Sequence, residues 1–139
     1  MSPQQKYLIR KSFAALELHG SIPGLVFYRR LFELDPSLRP MFKSDIEFQS
    51  AKLLDMLGGL ISHLERTTLL EAELRLMGQR HAGYGVKDEH YAIVGQALLE
   101  MLAETLRGDF TPEVREAWAV LYGAVAEAMQ AGAEVSVAA

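Results

Sequence analysis

From Leu53 the apolar residues recur as Leu53, Met56, Leu57, Leu60, Ile61 and Leu64. Steps of three and four put all of them on one face of a helix. Three further stripes keep the same period: Leu70, Leu74, Met77 and His81; Tyr91, Val94, Leu98, Met101 and Leu102; and Val114, Trp118, Leu121, Tyr122, Val125 and Met129. No stretch sustains the polar–apolar alternation of a half-buried strand. The periodicity therefore restricts the chain to an all-α fold.

Punctuation divides the helices. Ser2-Pro3 with Gln5, Ser44 with Glu47, and Thr68 with Glu71 have the spacing in which a side chain satisfies a free N–H of a first turn, and Thr111-Pro112-Glu113 opens the last helix similarly. Gly20 closes the first helix, Asp35-Pro36 and Pro40 bound a short third one, and Gly83 and Gly85 end the helix that carries His81. The pattern predicts helices near 3–18, 21–34, 36–42, 45–64, 68–83, 88–107 and 112–131, with 131–139 a frayed tail. About seven unequal helices, one of them short and bounded by prolines, suit helices crossing at steep angles around a cavity better than a symmetric bundle.

With 139 residues the expectation is a single domain over 1–139, long enough for a core without disulfides. There is no cysteine, which removes thiol catalysis, thiolate zinc and iron–sulfur clusters. Fourteen Lys and Arg against 18 Asp and Glu, net −4, argue against nucleic acid as a partner. Asp55 interrupts the longest apolar run, so no membrane span is expected, and Met1 to Arg10 lack a secretory pattern. These features predict a cytoplasmic protein and leave its oligomeric state open.

Only four histidines occur, His19, His63, His81 and His90. None has the Glu-x-x-His spacing of di-iron bundles, nor is there a His-Glu-x-x-His zinc pattern. A metal, if used, has to arrive in a preassembled cofactor held by one histidine. His81 alone continues a strong apolar stripe, so it faces inward as a satisfied core histidine or as a ligand. Gln49 lies one turn before Leu53 on the same face, either as an exposed first turn or as a donor reaching into a cavity. Tyr28 lies on the apolar face with Leu25 and Phe32, as core or as a hydroxyl aimed inward. Phe42 reads as core. Tyr91, ten residues after His81, reads as packing or as a hydroxyl meeting the imidazole. Arg29 and Arg30 read as a solvated face.

The ordered series Phe27-Tyr28, Phe42, Gln49 with Leu53, Arg80-His81, Tyr84-Gly85-Val86 and Glu89-His90-Tyr91 resembles the globins. More narrowly, it is similar to the haemoglobin domain of bacterial flavohaemoglobins and their single-domain relatives, from about Gln4 to Met129. The resemblance implies a globin fold around haem b, with His81 ligating the iron and Phe42 packing on the porphyrin. Tyr28 and Gln49 would be the distal polar pair, Leu53 the bulky residue limiting access, and Val94 a contact on the proximal face. Tyr91 would join the hydrogen-bond network of the proximal histidine with a glutamate of the last helix. Here Ala133 stands at that glutamate's position and Glu134 follows it, a shift of about 100° around a helix. Flavohaemoglobins continue into flavin and nicotinamide domains, so the resemblance implies an external reductase.

Functionally, the resemblance implies a haem protein binding O₂ reversibly and tightly, for storage, delivery or scavenging, with NO and CO as further diatomic ligands. The alternatives are a nitric oxide dioxygenase served by a separate reductase, and a haem-free helical sensor or interaction module in which His81 is only core.

Overall fold

Ser2 accepts from the Gln5 N–H at 3.1 Å while the Gln5 side chain accepts from the Ser2 N–H at 3.0 Å. This reciprocal cap opens α1 (Pro3–Glu17) as the sequence predicts. The computed structural model describes residues 1–138, with side chains throughout except at 67 and 135–138. Gly20, in the left-handed region at φ 61°, turns the chain into α2 (Ile22–Leu34). A 3₁₀ helix (Pro36–Met41) follows, then α3 (Ile46–Ser62), α4 (Thr67–Gly83), α5 (Asp88–Leu106), a 3₁₀ turn (Arg107–Asp109) and α6 (Pro112–Ala138). Among the described residues there is no strand.

The predicted division holds, with local corrections. Asp45, not Ser44, caps α3 and accepts from the Glu47 N–H at 3.4 Å. α4 begins at Thr67 without a side-chain cap, one residue before the predicted start at 68. α6 passes the predicted boundary at 131 and runs to Ala138. Its end is rich in alanine, the best helix former, and Gly132 is seated on the backbone of α4, so tertiary contact carries the helix onward. Residue 139 of the expected tail lies outside the described residues.

The helices pack around one hydrophobic core. α2 packs on α5 and α3, α1 packs on α6 and α5, and α4 lies against α6. Trp118, Ile9, Leu16, Leu31, Met101 and Leu102 are the large side chains fully buried between them. The Trp118 indole N–H donates to the Ser12 hydroxyl at 2.8 Å, and that hydroxyl donates to the Leu8 carbonyl at 2.7 Å. Arg29 and Arg30 do not form a merely solvated face. Arg29 Nη2 reaches Glu104 Oε1 at 2.6 Å, Arg30 Nη2 reaches the same oxygen at 2.5 Å, and Arg30 Nη1 lies 3.4 Å from Glu100. These pairs fasten α2 to α5 directly after Tyr28. No helix is long and apolar enough to cross a membrane among the described residues.

The candidate haem crevice

α3 and α4, which carry the candidate residues of the two sides of the site, make at most marginal contact with each other. The first side is set where α2 crosses α3. A Cβ on Gly24 would lie 2.5 Å from Ser50 Cβ and 2.9 Å from the Ser50 carbonyl, a separation only glycine permits. Ser50 is fully buried, its hydroxyl donating back to the Ile46 carbonyl at 2.7 Å. Tyr28 stands one turn after Gly24, Gln49 directly precedes Ser50, and Leu53 follows Gln49 by a turn. The crossing thus brings the segments of all three candidate distal residues together.

Tyr28 is buried in an aromatic group. Its ring meets Phe27 at 5.0 Å and Phe42 at 5.2 Å, both edge to face, and Phe32 at 6.0 Å. Burial pushes its phenol up to about 12, so the hydroxyl remains a proton donor across the physiological range. Phe42 caps the 3₁₀ helix and also packs on Phe32 at 5.6 Å. Gln49 is half-buried in the first turn of α3. The described hydrogen bonds engage neither the Tyr28 hydroxyl nor the Gln49 amide.

His81 occupies the last turn of α4 and is half-buried. Its carbonyl accepts from Tyr84 and Val86, each at 3.0 Å, and Gly85 at φ 94° lets the chain turn back there. The imidazole Nδ1 lies 2.8 Å from the Met77 carbonyl one turn earlier. A carbonyl can only accept, so Nδ1 carries the proton and Nε2 is left with its lone pair. That is the tautomer and orientation a metal-ligating imidazole needs.

The expected Tyr91 contact is not assembled. Tyr91 is buried, and its phenol is raised first by burial and then by the nearby Asp88 charge. It is tied through its carbonyl, which accepts from the Tyr122 hydroxyl at 2.6 Å, whereas His81 uses Met77. Glu134 is exposed on α6. Gly132 faces Arg75 and Met129 faces Gly78, so the two helices run antiparallel and residues past 132 lead away from the His81 end of α4. Ala133 and Glu134 therefore sit level with the middle of α4. Val94 packs half-buried against the core one turn beyond Tyr91.

These residues fit a porphyrin-held metal better than a bare ion. Phe42, Leu53 and Val94 each pack on the core yet keep part of their apolar surface open. Among the described residues no three His, Asp or Glu side chains converge, so the available donor set is one imidazole nitrogen. The Met77 carbonyl and the Gly24–Ser50 crossing were not picked out from sequence. Both had a signal: the carbonyl lies four residues before an inward histidine, and a glycine inside an apolar helical face marks a close approach.

Comparison with known proteins agrees. A family model described as Globin matches residues 25–129. The chain is 34% identical over 146 residues to a neuroglobin of Danio rerio, covering 95% of this chain and 92% of that protein. Neuroglobins of Tetraodon nigroviridis and Chaenocephalus aceratus are 33% and 34% identical with the same coverage. The all-α architecture, the family match over residues 25–129 and these relatives together show that the chain belongs to the globin family, which implies a haem cofactor and small diatomic gases as ligands.

Proposed function

We propose that the chain, as one globin domain, holds haem b and binds O₂ reversibly and tightly in the cytoplasm. The observation that carries this reading is the His81 imidazole, fixed by its 2.8 Å bond to Met77 so that Nε2 is free. When bound, haem supplies a ferrous iron that takes a diatomic gas. His81 would hold the iron, and Phe42, Leu53 and Val94 would seat the ring and exclude water. Tyr28 and Gln49 belong to the opposite wall. A buried phenol that stays protonated donates best to a ligand that draws electron density, which favours O₂ over CO. The same Tyr28, Gln49 and His81 carry the resemblance to the haemoglobin domain of bacterial flavohaemoglobins.

The test is the visible spectrum of the purified protein in ferric, ferrous and O₂-exposed forms. A Soret band that His81→Ala abolishes, with a stable ferrous O₂ spectrum, supports the reading. No Soret band on reconstitution with haem rejects it. Sustained consumption of NO with an added reductase would make the function nitric oxide dioxygenation instead.

A further inference from the structure

α4 rests on α6 through two glycines that face each other's helix. A Cβ on Gly78 would collide with the backbone carbonyl of Met129, and one on Gly132 would collide with the backbone carbonyl of Arg75. Both glycines are buried. The obstacle in each case is backbone rather than a side chain that could swing away. The helices therefore meet main chain to main chain, with glycine Cα–H groups against carbonyl oxygens. Gly78 lies one turn before His81 and next to Met77, whose carbonyl orients the imidazole.

α4 packs only marginally on α3 and α5, so α6 is its main support. The distance and register of this seam consequently set where the His81 ring stands relative to the rest of the fold. α6 also carries Ala133 and Glu134, which lie away from His81. In place of a carboxylate, α6 offers the proximal side a backbone surface that α4 can approach without a side chain between them.

We infer that Gly78 and Gly132 are positioning residues for His81, and that the α4–α6 glycine seam, rather than a Tyr91–glutamate hydrogen bond, is the device by which α6 controls the proximal ligand. The inference rests on the reading of His81 as the haem ligand. A methyl group at either glycine forces the whole of α4 away from α6 and carries both Met77 and His81 with it.

The experiment compares Gly78→Ala and Gly132→Ala with Gly123→Ala, which is on α6 with nothing within 4 Å of the added methyl. Haem transfer to an excess of a haem-scavenging apoglobin and the ferrous iron–histidine stretching frequency are read for each. The seam variants are expected to lose haem at least tenfold faster and to shift the stretch, while Gly123→Ala and Tyr91→Phe match the parent. Seam variants that fold, by far-UV circular dichroism, with the parent's transfer rate and frequency would overturn the inference.

If neither seam variant folds, native-state hydrogen exchange on the haem-loaded parent decides. Amides around Gly78 that open together with those around Met129 support the seam, and independent opening overturns it. A parent protein without a Soret band fails the haem reading and takes this inference with it. A parent with the band and indifferent seam variants fails this inference alone.

Discussion

Trp118 and Ser12 are joined in the core by a 2.8 Å hydrogen bond from the indole N–H to the hydroxyl, which ties α6 to α1. Ser12→Ala leaves that N–H buried without its acceptor, at a cost of about 1–3 kcal/mol. The expected result is a lower urea midpoint with an unchanged denaturant slope. A midpoint equal to the parent's would show that the bond contributes nothing net.

Gly24→Ala places a methyl 2.5 Å from Ser50 Cβ and 2.8 Å from its Cα. Overpacking of this kind costs about 1–3 kcal/mol, and because the strain falls at the α2–α3 crossing it also shifts the segment that carries Tyr28 against the segment that carries Gln49. Chemical denaturation should report the loss of stability, and the O₂ dissociation rate should change in the same variant.

Tyr28→Phe keeps the aromatic packing and removes the donor. A charge-assisted hydrogen bond of about 1.5–3 kcal/mol corresponds to one to two decades in release rate. Stopped-flow measurements should find O₂ dissociation faster by that factor and CO dissociation little altered. An unchanged O₂ rate would remove Tyr28 from the distal role.

The α2–α5 clamp should weaken in acid. Hydrogen bonds from Arg30 and then Arg29 hold the Glu104 carboxyl below its ordinary 4.5. The folded state thus favours the ionised form, so the contribution is present above 4.5 and fades as pH falls through the lower folded value. Glu104→Gln is expected to lower the melting temperature at neutral pH. The gap to the parent should close as pH falls below 4.5 and narrow in about 1 M salt.

At alkaline pH the sign reverses. Burial lifts the Tyr28 phenol from 10 to about 12 and raises Tyr122 as well. Between those values the unfolded chain has released a proton that the folded chain keeps, so stability falls as pH rises. Tyr28→Phe and Tyr122→Phe should each flatten the decline in urea midpoint between about pH 9 and about pH 11.5.

Helix identity was legible because each stripe, such as Leu53 to Leu64, serves one buried face, and because Ser2, Pro36 and Gly85 act within their own turns. The same locality makes His81 stand out among the four histidines: it extends a stripe and precedes a break. Long-range pairing was less legible. Arg29 and Arg30 meet Glu104 more than seventy residues later, and no local pattern distinguishes a clamped arginine from a solvated one. The expected Tyr91–imidazole contact depended on the rotation of α5 against α4, whereas the Met77 carbonyl wins the imidazole proton by being on the same helix. Gly78 and Gly132 were not picked out, because a glycine inside a helix gains meaning only once α4 and α6 are known to be partners.

The dependence of α4 on α6 also orders events during synthesis. Met129 and Gly132 follow Gly78 and Arg75 by more than fifty residues. At about 5–20 residues per second, several seconds pass before the partner backbone has been made. α2 and α3 can cross through Gly24 and Ser50 well before then, because those contacts close a much shorter loop. The nascent globin therefore builds the Tyr28 and Gln49 wall first and seats the His81 wall last. If His81 holds the haem as proposed, loading of the cofactor becomes a late step, gated by the emergence of α6 from the ribosome.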